Sequence, residues 1–242
     1  MSDTNDPFLH HPELRGKIAD PLGSRFRHFD LALLDAEMQA AGVPSPWRAT
    51  DEAREASRVQ TLQQRPEQDL WVFGYGSLIW DPGMLFSEVR IGQVQGLSRR
   101  FCLRSLFGRG SHDKPGLMVG LDRGGQCESL AFRIPEAILE QETRLLWQRE
   151  MLRNTYQPTY VPVQTVAGVV QALTFVVNPS TDNYIASLEL DEAARCVATG
   201  AGLYGTCLDY VDNLARHLRE FGIEDAMVFE LWDKSRRLCE QG

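Results

Sequence analysis

Apolar and polar positions along the chain follow two regimes that meet near residue 69. Before it the chain is polar, holds His10 and His11, and has no β-rich run, so helices are the only regular structure it predicts. Residues 30–41 carry Leu31, Leu34, Ala40 and Ala41 at helical spacing ahead of Gly42. Residues 51–65 are charged and Gln-rich, opened by Thr50-Asp-Glu-Ala, a capping box lacking its glutamate, and followed by Pro66. Val43-Pro-Ser-Pro makes a turn between the two. Residues 1–69 thus read as a helical arm or cover lying on the main domain and carrying no chemistry.

From Asp69 the pattern changes to short β-like runs at residues 70–74, 88–95, 99–104, 116–121 and 127–134. The last two flank Asp122-Arg-Gly-Gly, which predicts a hairpin turn. Pro135, which has no N–H to donate, suits the first turn of a helix running to about Leu152. Two more β runs follow at residues 159–165 and 169–178, the second largely apolar and ending at Asn178-Pro. Helical spacing then recurs in residues 184–197, 206–221 and 225–239. Strands mostly without intervening helices, then one central helix and a helical cluster, predict an α+β fold: residues 70–242 build a small curled or barrel-like mixed sheet. A doubly wound sheet fits less well.

The balance of 25 Lys and Arg against 33 Asp and Glu gives a formal charge of -8. With no Lys/Arg block, the chain lacks the electrostatic footprint of a nucleic-acid binder. At 43% hydrophobic residues there is enough apolar material for a sizeable core. No window approaches a membrane span, and Met1-Ser-Asp-Thr-Asn-Asp-Pro is acidic where a secretory signal would be basic and then apolar, so the expected setting is cytoplasmic. Five widely spaced cysteines without a C-x-x-C pair predict neither a disulfide framework nor a zinc site; each reads as a small apolar filler. No protein partner is implied.

The densest local signal is an apolar strand entering Gly74-Tyr75-Gly76-Ser77. Two glycines one residue apart open φ values closed to other residues and permit close approach to a ligand, and successive N–H groups there can hold a carboxylate or an oxyanion. A tight turn with nothing bound is the competing reading. The loop is not a P-loop, a dinucleotide fingerprint or G-x-S-x-G. If Ser77 were a nucleophile it would need a base, for which His112, in Gly110-Ser-His-Asp-Lys, is the one suitable histidine.

The helix starting at Pro135 carries a second signal. At 100° per residue, Leu139, Leu146 and Glu150 share one face with Trp147 at its edge, while Glu140, Gln141, Arg144 and Gln148 lie opposite. Glu150 is therefore a carboxylate aimed at the core. Desolvation and the negative end of the helix dipole would both raise its pKa, which suits a group that must take and give a proton. A buried ion pair with Arg149, Arg153 or another arginine is the structural alternative.

Several motifs occur together and in order: Val72-Phe-Gly-Tyr-Gly-Ser-Leu-Ile-Trp80, Phe101-Cys-Leu-Arg104, Gly108-Arg-Gly110, Pro115-Gly116, Leu145-Leu-Trp-Gln-Arg-Glu-Met151 and Gly205-Thr-Cys-Leu-Asp-Tyr210. Over about residues 70–225 they resemble the ChaC-like γ-glutamylcyclotransferases, the bacterial members most closely. The resemblance implies cleavage of glutathione to 5-oxoproline and cysteinylglycine without metal or cofactor. The substrate's own α-amine attacks its γ-carbonyl in this reaction, so no protein nucleophile is needed. Glu150 matches the family's acid/base. Val72, Phe73, Gly74, Tyr75, Gly76, Ser77 and the adjoining Leu78 match its substrate-binding loop, and Arg104, Arg109 and Tyr210 coincide with family positions as supporting candidates. The chain departs at Arg149-Glu-Met-Leu-Arg, where many animal relatives have Arg-Glu-Lys-Gly-Gly, and at Leu117, where Arg is common. Both departures leave the contacts to the distal peptide open. The rival readings are a cyclotransferase for other γ-glutamyl amines or dipeptides and a binding module without turnover.

Overall fold

The computed structural model describes residues 6–241, so the acidic start at residues 1–5 lies outside the described chain. The amino-terminal segment makes 3-10 turns at Pro12–Leu14, Pro21–Gly23 and Arg25–His28, then α1 (Leu31–Ala40) and α2 (Asp51–Gln63). Both helices begin where a side-chain oxygen satisfies a free first-turn amide: Asp30 accepts from Ala32 and Leu33, Thr50 from Ala53.

Five strands follow: β1 (Leu70–Gly74), β2 (Glu88–Ser105), β3 (Gly116–Ile134), β4 (Tyr156–Thr165) and β5 (Gly168–Val177). They close into a barrel in the order β1-β3-β2-β4-β5, and β5 returns parallel to β1 at Trp71↔Ala172 and Val72↔Leu173. Closure leaves β1 paired on both edges, and all five of its residues are buried, so both faces are covered, which explains its uninterrupted apolar run. Pro158 and Pro162 sit in β4, which pairs with β2 only at Gly92↔Thr165 and Gln93↔Gln164; its other edge residues have no ladder bond for a proline to break.

The hairpin expected at Asp122-Arg-Gly-Gly is not a hairpin. β2 and β3 pair from Glu88↔Arg133 to Ser105↔Gly116, and the chain reverses at residues 106–115 instead. Gly124 and Gly125 have φ of 100° and 68°, and Gly96 opposite them 78°, at a register shift between Gln95 and Leu97. Glycines with positive φ serve a bulge that bends a paired strand as well as a turn that ends one, and local sequence does not separate the two.

α3 (Glu136–Glu150) packs on the barrel, setting Trp147 edge-on to Phe175 with centroids 5.5 Å apart. The last region holds α4 (Leu190–Thr199), α5 (Cys207–Glu220) and α6 (Ala226–Gln241). Helix had been expected from residue 184, but Tyr184 bridges Leu103 and the Ile185 amide donates to the Cys102 carbonyl. Pairing with the barrel edge outcompetes helical propensity there. Among the described residues no helix is long and apolar enough to cross a membrane.

The amino-terminal segment is tied to the barrel domain throughout. Its Ala19 amide donates to the Trp80 carbonyl, and buried Arg58 of α2 reaches Glu140 and Thr143 on α3.

Candidate active site

β1 ends at Gly74, and a single 3-10 turn at Ser77–Ile79 follows. The first amides of such a turn have no partner inside it; here the bonds run from Ile79 to Gly76 and from Asp81 to Ser77. Gly76 has φ −120°, and Gly74 is an ordinary strand residue, so the glycines do not serve positive φ here. They serve space. A Cβ on Gly74 would lie 2.8 Å from the Leu78 Cβ, and one on Gly76 would lie 3.1 Å from Val119 Cγ1 and 3.2 Å from the Tyr210 hydroxyl. The turn can pack this tightly only without side chains at both positions.

Tyr75, Gly76, Ser77 and Leu78 line a cavity of about 410 Å³ together with Glu150, Tyr156, Phe175 and Tyr210. That volume suits a small-molecule site. Glu150, the last residue of α3, keeps 15% of its side chain exposed, and among the described residues its one ion-pair contact is Arg149 Nε at 3.1 Å. Burial raises its pKa above the ordinary value, and the neighbouring Arg149 charge partly offsets this. α3 holds another carboxylate for comparison. Glu142, 1% exposed, takes both Arg27 guanidinium nitrogens at 2.6 and 3.1 Å and the Leu85 amide at 2.8 Å. Glu142 is saturated with donors; Glu150 faces the cavity with one side free. That difference marks Glu150 for proton transfer and Glu142 for structure.

Around Glu150 stand three tyrosines, Tyr75 and Tyr210 buried and Tyr156 partly buried. Burial pushes the hydroxyls of Tyr75, Tyr156 and Tyr210 up, and the Glu150 charge pushes each further, so all three remain neutral donors across the working pH range. Tyr75 spends its proton on the Phe175 carbonyl at 2.7 Å. Two arginines brace the turn. Arg149 donates to the Ser77 hydroxyl at 2.8 Å and to the Asp81 carbonyl at 2.6 Å, and it lies over the Phe26 ring at 3.9 Å. Buried Arg99 donates to the Tyr75 carbonyl at 2.7 Å and pairs with Asp225. Sequence pattern marks neither as a site residue: Arg99 lies in a β run and gives no local signal, and Arg149, beside Glu150, reads only as an ion-pair partner.

The structure also sorts the other expected residues. Val72 and Phe73 are fully buried within β1 and do not line the cavity: their side chains point to opposite faces of the strand, and both faces are packed. Gly74 acts through its packing on Leu78. Arg109 lines the cavity, whereas exposed Arg104 lines an adjoining chamber that shares Glu150. Ser77 has no histidine to activate it: none lines the cavity, and His112 packs edge-on against Phe107 in the 106–115 loop. Arg25 and Phe26, from a segment expected to carry no chemistry, line the cavity as well.

Comparison with known proteins agrees with this architecture. The model of the family described as ChaC-like protein matches residues 70–238. The glutathione-specific gamma-glutamylcyclotransferase of Escherichia coli (strain K12) is 39% identical over 197 residues, covering 81% of this chain and 84% of that protein. Its namesake in Schizosaccharomyces pombe is 33% identical over 200 residues, 73% of this chain and 97% of that one. Among solved structures, a yeast γ-glutamyl cyclotransferase specific to glutathione superposes with a TM-score of 0.66 at 18% identity, covering 73% of this chain and 99% of that one, which shows a shared fold. A family model that spans residues 70–238 and relatives of this identity and coverage establish that the chain belongs to the ChaC-like family.

Proposed function

We propose that the protein degrades glutathione by intramolecular cyclisation of the γ-glutamyl group, releasing 5-oxoproline and cysteinylglycine. The observation that carries this reading is Glu150: a partly desolvated carboxylate with one side free, in a cavity with no histidine and facing a turn with unpartnered amides. The substrate's α-amine attacks its γ-carbonyl carbon, and Glu150 takes the proton released from that nitrogen. When the bond to the cysteine nitrogen breaks, Glu150 returns the proton to the leaving amine, so no water is consumed and the carboxylate is regenerated. The Gly76–Leu78 amides suit the α-carboxylate or the oxyanion, and the tightly packed turn holds the chain in its cyclising pose.

Incubation of the purified protein with glutathione should release equal amounts of 5-oxoproline and cysteinylglycine, with γ-glutamylalanine turned over far more slowly. Equal rates on both would favour a broader γ-glutamyl amine substrate. No turnover of either would leave a binding module. His112→Ala should be as active as wild type, since the reaction uses no histidine.

The base form of Glu150 is the ionised one, so kcat/KM falls in acid as the carboxyl protonates, with a midpoint above its ordinary value of 4.5. The Arg149 charge favours ionisation. Its removal in Arg149→Leu therefore moves the acid limb to higher pH, and Arg149→Lys moves it less. A pH profile with the limb in the same place for all three proteins would assign it to another group.

A further inference from the structure

The amino-terminal segment does more than cover the barrel. Its 3-10 turn Arg25–His28 is capped by the Ser24 hydroxyl, which accepts from the Phe26 amide, and is held at the cavity by two contacts: Arg27 grips Glu142, and Arg149 lies on the Phe26 ring. Arg25 is thereby carried to the rim, where its guanidinium stacks on Tyr204 at 4.8 Å and on Phe26 at 5.1 Å. Arg109 lines the same cavity from the 106–115 loop. It packs against Gly205, where a Cβ would lie 2.9 Å from its Nη1, and that nitrogen makes only a long contact, 3.4 Å, with the Thr206 carbonyl.

Among the described residues neither Arg25 nor Arg109 forms an ion pair with an acid. The acid nearest in effect, Asp209, is occupied in capping α5 through the Thr206 amide. Burial and the Arg25 charge both push the Arg109 pKa down. Two cations thus share one rim, disfavouring each other, with both guanidinium forks available to an anion.

We infer that Arg25 and Arg109 form a clamp for the carboxylate at the distal end of the substrate, so that the amino-terminal segment completes the site. This rests on the reading above, in which the glutamyl end lies deep, among Glu150, Tyr75 and the Gly76 turn. A peptide anchored there by its γ-glutamyl group has one charged group left, its terminal carboxylate, and the exposed rim is where that group emerges. The clamp makes Arg25 a specificity determinant: it recognises a free carboxylate and acts before the chemical step.

The test separates the clamp from the reaction. Glutathione and its glycyl ethyl ester are titrated calorimetrically into Glu150→Gln protein, which removes turnover, with and without Arg25→Ala. With Arg25 present the free acid should bind about 10-fold or more tightly than the ester, the scale of a charge-assisted bidentate contact. Arg25→Ala should cut the preference for the acid and leave the ester unchanged, Arg25→Ala with Arg109→Ala should bring the acid down to the affinity of the ester, and Arg25→Lys should keep more of the preference than Arg25→Ala. In the protein with Glu150 intact, Arg25→Ala should raise KM for glutathione by the same factor with kcat held, the signature of binding shared by ground and transition states. Equal affinities for acid and ester overturn the clamp, as does a preference abolished by Arg104→Ala and unmoved by Arg25→Ala. Arg25-dependent preference without 5-oxoproline release from the Glu150 protein would keep the clamp and sink the proposed reaction; turnover without discrimination would do the reverse. Binding of neither compound would sink both.

Discussion

Glu150→Gln lowers kcat for 5-oxoproline release from glutathione by about 10²- to 10⁴-fold, the usual contribution of a positioned acid/base, with little change in KM. The amide keeps the shape and the contact to Arg149 but neither accepts the α-amine proton nor returns one. A stability measurement accompanies the kinetic one. Burial raises the Glu150 pKa, so the folded state holds this proton more tightly than the unfolded chain does. Such a group contributes stability in acid, near its ordinary value of 4.5 and below, and loses it as pH rises through the folded value. The uncharged glutamine has no such loss. Glu150→Gln should therefore melt at or above the wild-type temperature at neutral pH, with the advantage shrinking in acid. An inactive variant that also melts well below wild type would point to a structural carboxylate and against the acid/base role.

Arg27→Ala has the largest expected effect on stability, about 3–5 kcal/mol, because it leaves the Glu142 carboxylate buried without its cation. Glu142 is 1% and Arg27 9% exposed, so both charges of the pair are held out of water. In a chain of this size that corresponds to a melting temperature roughly 6–20 °C lower. Arg27→Met with Glu142→Gln should recover much of the loss, since the glutamine can still accept from the Leu85 amide and neither side then buries a bare charge. Exposed Arg25, two residues away, should change to alanine with little effect on melting. A wild-type melting curve for Arg27→Ala would show that the segment is held by other contacts, with those from Arg58 of α2 to Glu140 and Thr143 of α3 the first to examine.

The two carboxylates of α3 show how far sequence pattern reaches. Periodicity aimed Glu150 at the core, and it lines the cavity. Glu142, three residues after Leu139 and four before Leu146, lies at the edge of the same face, and spacing does not say what either carboxylate does, because the difference lies in the donors that reach each one. Those of Glu142 come from residues 27 and 85, distant in sequence. The Gly74 turn repeats the lesson: the glycines were legible as a site, but their cause is contact with Leu78, Val119 and Tyr210, two of these far along the chain.

Strand and helix content, the change near residue 69 and the carboxylate on the central helix followed from spacing and propensity, which act between near neighbours and are written in the sequence itself. The single bent hairpin of β2 and β3, the parallel closure of β5 on β1, the burial of Val72 and Phe73 and the arrival of Arg25 beside Arg109 were decided only by the tertiary structure. Pairing register and proximity across the cavity depend on which distant surfaces bury each other, an energy shared by the whole chain and carried by no short stretch of it.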